Sequence, residues 1–303
     1  MVVAIIALLI GILLPALGEA RRVAQRVACM AHLKGAGQGV QTYISEWRGY
    51  YPGPNTSGWQ ITREANGYTF SDNPSEPVQN TDWISPTLGE SLGMPEDLDE
   101  RIAAMFNHEF KCPSNGESYD GQFGSGGPSV DPTTLTVSSY SAAIGFHMYE
   151  NNPGTGALYA NSWLAVDLPR DVRFKVSAVG PPSTKVFAMD GARYVDYDTG
   201  EITYNAFNKQ VQGGNYMNYS PAVAENLNNG TPYKRSGGEL SEPARRFAYR
   251  HGDALNAVYF DGHAESLDEA ASRPVKLYFP SKSVINSADD TDDPDDVDGQ
   301  VIE

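Results

Sequence analysis

The chain begins with MVVAIIALLIGILLPALGEARR (residues 1–22), an apolar run that meets its first charge at Glu19. As a helix, residues 2–18 span roughly 26 Å, which is near the lower limit for crossing a bilayer. Pro15 removes one helical hydrogen bond and permits a kink. The run therefore predicts a helix that needs either lipid or other apolar helices around it.

Two other interpretations of this run are weaker. A secretory signal has basic residues before its apolar stretch and a small-residue cleavage site after it. Here Arg21, Arg22 and Arg26 all follow the run, and no A-x-A site closes it. A buried helix of a globular core needs equally apolar segments to surround it, and the remaining sequence supplies none.

A second, one-sided half continues the helical pattern. Apolar residues recur there at three- and four-residue steps, as is typical of an amphipathic helix: Val23, Val27, Met30 or Ala31, Val40, Tyr43, Ile44 and Trp47. Gly35, Gly37 and Gly39 weaken the helix by about 1 kcal/mol each relative to Ala and indicate local loosening. RGYYPGPN (residues 48–55) ends it with Gly and Pro. We expect one long helix to about residue 47, whose second half lies on a sheet.

Composition limits the class of protein. The 303 residues include 22 basic and 38 acidic side chains, which gives a net charge of −16. This length suits one large domain or two small ones with a true hydrophobic core. An acidic surface repels the phosphates of nucleic acid, so nucleic acid is not expected as a partner.

The last residues of the chain, 287–303, form an acidic segment that contains Asp at seven of the ten positions 289–298. Such a composition predicts a disordered tail. Because Ca²⁺ takes about six to eight oxygen ligands, the segment is also a candidate calcium site. Pro294 interrupts the run, and the residue order of an EF-hand is not met. We therefore expect a solvated tail, with Ca²⁺ binding as the alternative.

Between these ends the sequence predicts short elements joined by loops. The 30 glycines and 20 prolines indicate many turns. A helix is expected within residues 95–110. Short strands are expected within residues 138–146, 173–179, 185–190 and 194–196.

The strongest hairpin signal is ALNAVYFDGHAESL (residues 254–267), in which two strand-like runs flank Asp261–Gly262. Asp-Gly is a preferred pair for a type I′ turn, which needs a positive φ at both residues. Since side chains alternate along a strand, Val258 and Phe260 would face the long helix and Tyr259 would face outward.

Together these features resemble the type IV pilin and type II secretion pseudopilin superfamily. VVAIIALLIGILLPALGEAR (residues 2–21) is similar to the N-terminal segment of those proteins. RHGDALNAVYFDGHAE contains the H-X9-DG signature of the group with a prepilin-type N-terminus: His251, nine residues, then Asp261–Gly262. CMAHLKGAGQGVQTY (residues 29–43) and FKCPSN (residues 110–115) also resemble internal motifs of that group.

The resemblance implies an α+β, pilin-like fold. Its long N-terminal helix, apolar in the first half and amphipathic in the second, would pack on a small antiparallel sheet with loop-rich insertions. The chain would divide into a membrane or filament-core helix (1–25), a pilin-like globular domain (26–286) and the disordered acidic tail (287–303). A leader peptide, a processing site and an acidic residue would precede Met1.

The implied function is that of a structural subunit of an extracellular pilus-like or pseudopilus filament. The helix would hold each subunit in the inner membrane until a prepilin peptidase and the pilus or type II secretion machinery assemble a helical homopolymer on the cell surface. The filament core would contain Ile5, Ile6, Leu9, Ile12, Leu13 and Pro15.

A rival function is a membrane-tethered module that displays a binding surface, for example for carbohydrate, without polymerising. Trp59, Trp83 and Trp163 in the loops would then supply the contacts. The plainer alternative for these residues is that they are ordinary core aromatics.

Cys29 and Cys112 are the only cysteines of the chain. They are either two separate buried thiols or one disulfide, and an oxidising surface compartment favours the disulfide. Such a bond would tie the long helix to the FKCPSN loop. Closing a loop of this length stabilises a fold by roughly 4–5 kcal/mol at best.

Chemistry at the hairpin has weaker support. His251, Asp261 and His263 have side chains that suit Zn²⁺, but we favour a structural interpretation in which His251 hydrogen-bonds to the turn. G-x-S-x-G, Walker, H-E-x-x-H and dinucleotide-binding motifs are absent. No catalytic, metal or cofactor residue is therefore expected, and the protein is not predicted to be an enzyme. Three asparagines match the N-glycosylation pattern: Asn55, Asn218 and Asn229.

Overall fold

The computed structural model describes residues 2–52, 75, 78, 82–108, 110–123, 130–149, 158–159, 165–170, 174–196, 199–205, 214–223 and 230–303. Within these ranges the α-helices are α1 (Val2–Glu46), α2 (Ser85–Leu88), α3 (Leu98–Asn107), α4 (Val176–Val179) and α5 (Glu242–Phe247). Single turns of 3₁₀ helix occur at Pro132–Thr134, Ile144–Phe146, Pro182–Thr184, Pro221–Val223, Val275–Leu277 and Ala288–Asp290.

The strands are short, and most of them pair in twos. They are β1 (Gly121–Phe123), β2 (Tyr140–Ala143), β3 (Met148–Tyr149), β4 (Leu158–Tyr159), β5 (Val166–Asp167), β6 (Val186–Asp190), β7 (Thr203–Asn205), β8 (Met217–Asn218), β9 (Arg235–Ser236), β10 (Glu239–Leu240), β11 (Ala254–Tyr259), β12 (Ala264–Asp268) and β13 (Val284–Ile285). The expected α+β class with a long N-terminal helix is confirmed.

Helix α1 is a single helix that runs through Pro15 and ends one residue before the predicted boundary. Its outer part, residues 2–24, is exposed, and the first buried residue is Cys29. The buried stripe differs from the predicted one, and its members are Cys29, Leu33, Ala36, Gly37, Val40, Tyr43 and Ile44. Val23 and Val27 are more than half exposed, and both lie before Cys29, the first buried residue of the helix.

Two glycines of α1 serve close packing, and the expected loosening of the helix does not occur. A Cβ atom at Gly37 would lie 2.6 Å from Cγ2 of Val258, and one at Gly39 would lie 2.8 Å from Cδ2 of Leu88. Real Cβ atoms do not approach neighbours this closely. The missing side chains therefore let the helix backbone lie directly against β11 and α2.

The central sheet has the strand order β12-β11-β6-β2-β8 among the described residues. The first four strands are antiparallel neighbours, but β2 and β8 are parallel, so the sheet is mixed and not purely antiparallel as expected. Helix α1 crosses β11, β12 and β6. All residues of β6 and β11 are buried, so other parts of the chain cover the face opposite the helix.

The signature hairpin forms, but its turn is of a different type. The N–H of Tyr259 donates to the carbonyl of His263, and the N–H of Gly262 donates to that of Tyr259, both at 2.9 Å. Only Gly262, at φ 86°, has a positive φ in this turn. This is a three-residue loop with a left-handed glycine, not a type I′ turn. Tyr259 is buried instead of facing outward, because both faces of β11 are covered.

The C-terminal segment is ordered, so the expectation of a disordered tail is wrong. Val301 forms a β-bridge with Val284, and Ile302 is buried while exchanging backbone hydrogen bonds with Lys282 and Ser283. The carboxylate of Asp292 is fully buried and forms an ion pair with Arg235. The burial of Ile302 and the ion pair of Asp292 therefore hold in place an acidic segment whose composition predicted disorder.

Candidate functional site

The outer part of α1 presents an apolar surface with nothing packed on it within the described residues. The predicted core positions Ile5, Ile6, Leu9, Ile12 and Leu13 are each between 50% and 65% exposed. The helix is long and apolar enough to cross a membrane by length and composition, and none of its most apolar window is buried. Water is an unfavourable environment for this surface, because each buried Leu or Ile side chain stabilises by about 1.5–3 kcal/mol.

The contact between helix and domain begins just after the charged residues. Arg22 pairs with Glu19 on the exposed helix surface. One turn later, Gln25 donates a hydrogen bond from Nε2 to the carbonyl of Pro113 at 3.1 Å. Cys29 follows and is completely buried. The exposed and docked halves of α1 therefore meet between residues 25 and 29.

Cys29 and Cys112 form a disulfide at this junction, as predicted. Their Cα atoms are 4.9 Å apart, and both residues are fully buried. The backbone N–H of Cys112 donates to Oγ of Ser139 at 3.0 Å, and the hydroxyl of Tyr140 donates to the carbonyl of Cys29 at 3.4 Å. The start of β2 therefore holds both ends of the bond.

His251 and Asp190 lie against the disulfide. Nε2 of His251 is 3.5 Å from Sγ of Cys112 and 3.4 Å from Oδ2 of Asp190. Asp190 is the last residue of β6, and His251 precedes β11. The expected hydrogen bond from His251 to the turn is not formed. The length of β11 separates this histidine from Asp261–Gly262.

The charges of this cluster are almost completely removed from water. Nη2 of Arg250 donates to Oδ1 of Asp190 at 3.2 Å and to the carbonyl of Ser139 at 2.8 Å. Burial raises the pKa of Asp190 to about 6, although Arg250 and the N–H of Asn256 act in the opposite direction. The Asp190–Arg250 pair is thus a buried ion pair whose partners depend on each other.

The imidazole of His251 is neutral at physiological pH. Burial lowers its pKa to about 4, and the positive charges of Arg250 and Arg26 act in the same direction. A neutral imidazole keeps a nitrogen lone pair that can accept a hydrogen bond or bind a metal ion.

The zinc site considered at the hairpin is not assembled. Nδ1 of His263 and Oδ1 of Asp261 lie 2.5 Å apart at the exposed turn, whereas His251 is at the far end of β11. Instead, the structure brings His251 together with Asp190 and both cysteines, and their ligand atoms all lie within 4.8 Å of one another.

Several other candidate residues are not at an accessible surface. Asn218 is fully buried and donates to the carbonyl of Ala192, so it is closed to glycosylation in the folded chain. Trp83 is also buried, with Nε1 donating to the carbonyl of Tyr216, and so it is a core aromatic. The remaining candidates lie outside the described residues: Asn55, Asn229, Trp59 and Trp163.

The acidic C-terminal segment lines an open depression together with two arginines. Its lining includes Asp289, Asp293, Asp296, Arg235 and Arg273. The guanidinium groups compete with a cation for the carboxylates, and Asp292 is already paired with Arg235. Calcium binding at this segment stays a prediction.

Sequence reasoning did not identify Asp190 or Arg250 as site residues. Two weak signals in the sequence could have indicated them. Arg250 is adjacent to the signature histidine, His251, and Asp190 is the only carboxylate of a short apolar strand. No protein-family model, curated protein or solved structure matches this chain.

Proposed function

We propose that this protein is a structural subunit of an extracellular pilus-like or pseudopilus filament, assembled through packing of its N-terminal helices. The observation that carries the proposal is the division of α1. Residues 2–24 form an exposed apolar rod, whereas the stripe from Cys29 to Ile44 is buried on the sheet. The described part of the domain does not use the rod for its core, so we expect the rod to need an environment outside the subunit.

A filament supplies that environment without lipid. If the outer half of each helix packs against those of its neighbours, its apolar side chains leave water as they do in a protein core. The contacts join different faces of identical subunits, and such heterologous contacts propagate into an open helix. Before assembly, the same surface spans the inner membrane.

The sequence motifs support the same function. The N-terminal segment and the H-X9-DG signature resemble those of pilin-like proteins, and that resemblance implies processing by a prepilin peptidase and assembly by pilus or type II secretion machinery. The proposed role needs no catalysis. The signature histidine has a structural position here, beside the disulfide that fastens the helix to the domain.

Fractionation and electron microscopy test this function. The chain, joined behind the leader peptide and processing site of the host's own pilin, is produced in cells that contain a prepilin peptidase and a pilus assembly system, and surface material is sheared off. We expect fibres of uniform width that contain this chain, in addition to a membrane-bound pool. Cells without the assembly system should retain only the membrane-bound pool.

The opposite result identifies the rival function. A chain that stays in the membrane fraction and gives no fibres, although the assembly system polymerises its own pilin in the same cells, is a membrane-tethered display module and not a filament subunit.

A further inference from the structure

The disulfide lies in a buried cluster that also contains an imidazole and a carboxylate, neither of which is required to form the bond. Four side chains of types that bind metals converge there from separate parts of the fold: Cys29 from α1, Cys112 from the loop after α3, Asp190 from β6 and His251 from the segment before β11. All four residues are buried, and one ligand atom from each lies within 4.8 Å of the other three.

We propose that the dithiol form of this protein binds Zn²⁺ through Cys29, Cys112, His251 and Asp190. With bonds of about 2.3 Å to sulfur and about 2.0–2.2 Å to nitrogen and oxygen, a tetrahedral Zn²⁺ holds its ligand atoms roughly 3.3–3.8 Å apart. Nε2 of His251 is already 3.5 Å from Sγ of Cys112 and 3.4 Å from Oδ2 of Asp190. The other pairs of ligand atoms lie within 4.8 Å of each other, and reduction of the disulfide lets the two sulfur atoms separate around an ion.

The donor set favours zinc over other cations. Two thiolates and an imidazole suit Zn²⁺ in a closed four-coordinate site, whereas Ca²⁺ and Mg²⁺ require oxygen ligands. The charges also balance. Two thiolates and the Asp190 carboxylate contribute three negative charges, which Zn²⁺ and the Arg250 guanidinium, 3.2 Å from Asp190, neutralise in the buried site.

Zinc binding and disulfide formation are alternative states of the same two cysteines. Two thiols bind Zn²⁺ through two new Zn–S bonds and release two protons to solvent, without electron transfer. Closing the disulfide requires an external oxidant, such as a disulfide of another protein, that removes two electrons and displaces the zinc ion. The same two cysteines thus connect α1 to the domain through zinc before oxidation and through a covalent bond afterwards. All four ligands belong to one chain, so zinc binding of this kind requires no filament.

A metal-retention experiment on the full chain in detergent tests the site. One sample is kept oxidised, and the other is reduced with a phosphine; both are stripped of metal, incubated with Zn²⁺ and desalted. We expect about one zinc ion per chain in the reduced sample and none in the oxidised one. Co²⁺ should replace Zn²⁺ and give the visible absorption of a tetrahedral site with a sulfur-to-metal charge-transfer band.

Variants locate the ion. His251→Ala, Cys29→Ser and Cys112→Ser should each weaken Zn²⁺ binding in the reduced state by at least about tenfold. His263→Ala is the matched control, since that histidine is exposed at the other end of β11, and it should bind like the parent chain. Non-reducing gel mobility of oxidised His251→Ala should show the Cys29–Cys112 disulfide. Formation of this bond is the check that the variant folds.

Two results would overturn the proposal. The first is a reduced parent chain that retains no zinc and gives no sulfur-to-cobalt band. The second is a folded His251→Ala chain that binds Zn²⁺ as tightly as the parent does.

Discussion

The backbone of α1 at Gly37 lies directly against Val258 of β11: a methyl group at Gly37 would be 2.6 Å from Cγ2 of Val258 and 3.2 Å from the backbone of Gly262. Gly37→Val should therefore separate the helix from the hairpin. We expect the free energy of unfolding to fall by roughly 1–3 kcal/mol, as for other overpacked cores. Urea unfolding of the detergent-solubilised chain measures this change.

Gly35 provides the matched control on the same helix. A Cβ atom there has nothing within 4 Å. Gly35→Ala should leave stability unchanged or raise it by up to about 1 kcal/mol through helix propensity. Equal effects of the two substitutions would show that Gly37 is not a contact point.

The filament proposal predicts that a charge in the exposed half of α1 abolishes polymerisation. Ile6→Asp and Leu13→Lys would each place an unpaired charge among packed apolar helices, which is strongly unfavourable. Sheared surface fractions of either variant should contain no fibres by electron microscopy.

A charge elsewhere on α1 should have no such effect. Ala31→Lys adds a charge at an exposed position beside the docked stripe and should leave fibres intact.

Leu9→Ala keeps the helix apolar enough for the membrane, so it separates loss of packing from loss of insertion. We expect normal membrane amounts and fewer fibres for Leu9→Ala, and normal fibres from Leu13→Lys would contradict the proposal.

Reduction of Cys29–Cys112 in the presence of a chelator should destabilise the docked half of α1. The bond closes a loop with a sequence separation of 83 residues, and loss of such a bond costs up to roughly 4–5 kcal/mol. The melting temperature of the parent chain should fall when a phosphine and a chelator are added. A Cys29→Ser/Cys112→Ser double variant should melt at this lower temperature and should not respond to reduction.

Gly262 should be the most sensitive position of the hairpin turn. Its φ of 86° is strained for any residue with a Cβ, and above all for a β-branched one. Gly262→Val should lower folded yield and melting temperature markedly, whereas Gly262→Asn should have a smaller effect because Asn tolerates a left-handed conformation. Equal yields of both variants would mean that φ does not limit this turn.

His147 should make the fold sensitive to acid. It is fully buried against the rings of Tyr51 and Phe187, and neither ring nitrogen has a hydrogen-bond partner among the described residues. Burial lowers its pKa to about 3, whereas the unfolded chain has a histidine pKa of about 6.5. Between these values the unfolded state binds the extra proton, so the free energy of unfolding decreases as the pH falls.

His147→Phe should therefore flatten the decrease in stability between pH 6.5 and 4, and should not destabilise the protein at pH 7. Gly35→Ala, at an exposed position without a titratable side chain, should leave the pH dependence as it is. Urea midpoints across this pH range test both variants, and an unchanged acid slope in His147→Phe would assign the sensitivity to another group.

The features that the sequence predicted well are local ones. The length of α1 follows from its helical periodicity and from the Gly and Pro residues after Trp47, which are short-range signals. The disulfide was predictable because the chain has only two cysteines. The hairpin was placed correctly because Asp261–Gly262 lies between two strand-like runs, although its loop has three residues and only Gly262 has a positive φ.

The features that were missed depend on contacts between distant parts of the chain. Asp190 reaches His251 only because β6 and β11 are antiparallel neighbours, and no local pattern shows this register. Gly37 lowers helix propensity, so the sequence indicated a loosened helix at this position. In the structure, the missing side chain is what allows Val258 to pack directly against the helix backbone. Residues 173–179 were expected to form a strand, but Val176–Val179 is a helical turn.

Cys29 is the first buried residue of α1, and its covalent bond gives the subunit a defined path for mechanical load. Tension applied to the exposed half of the helix, by a membrane or by the neighbouring subunits of the proposed filament, reaches the domain at this residue. Without the bond, the docked helix could peel off the sheet one turn at a time, beginning at its first contact. With the bond in place, separation can open the Gln25 contact but cannot pass Cys29 until a covalent linkage breaks. The noncovalent contacts from Leu33 to Ile44, which follow Cys29 along the helix, are then shielded from this tension.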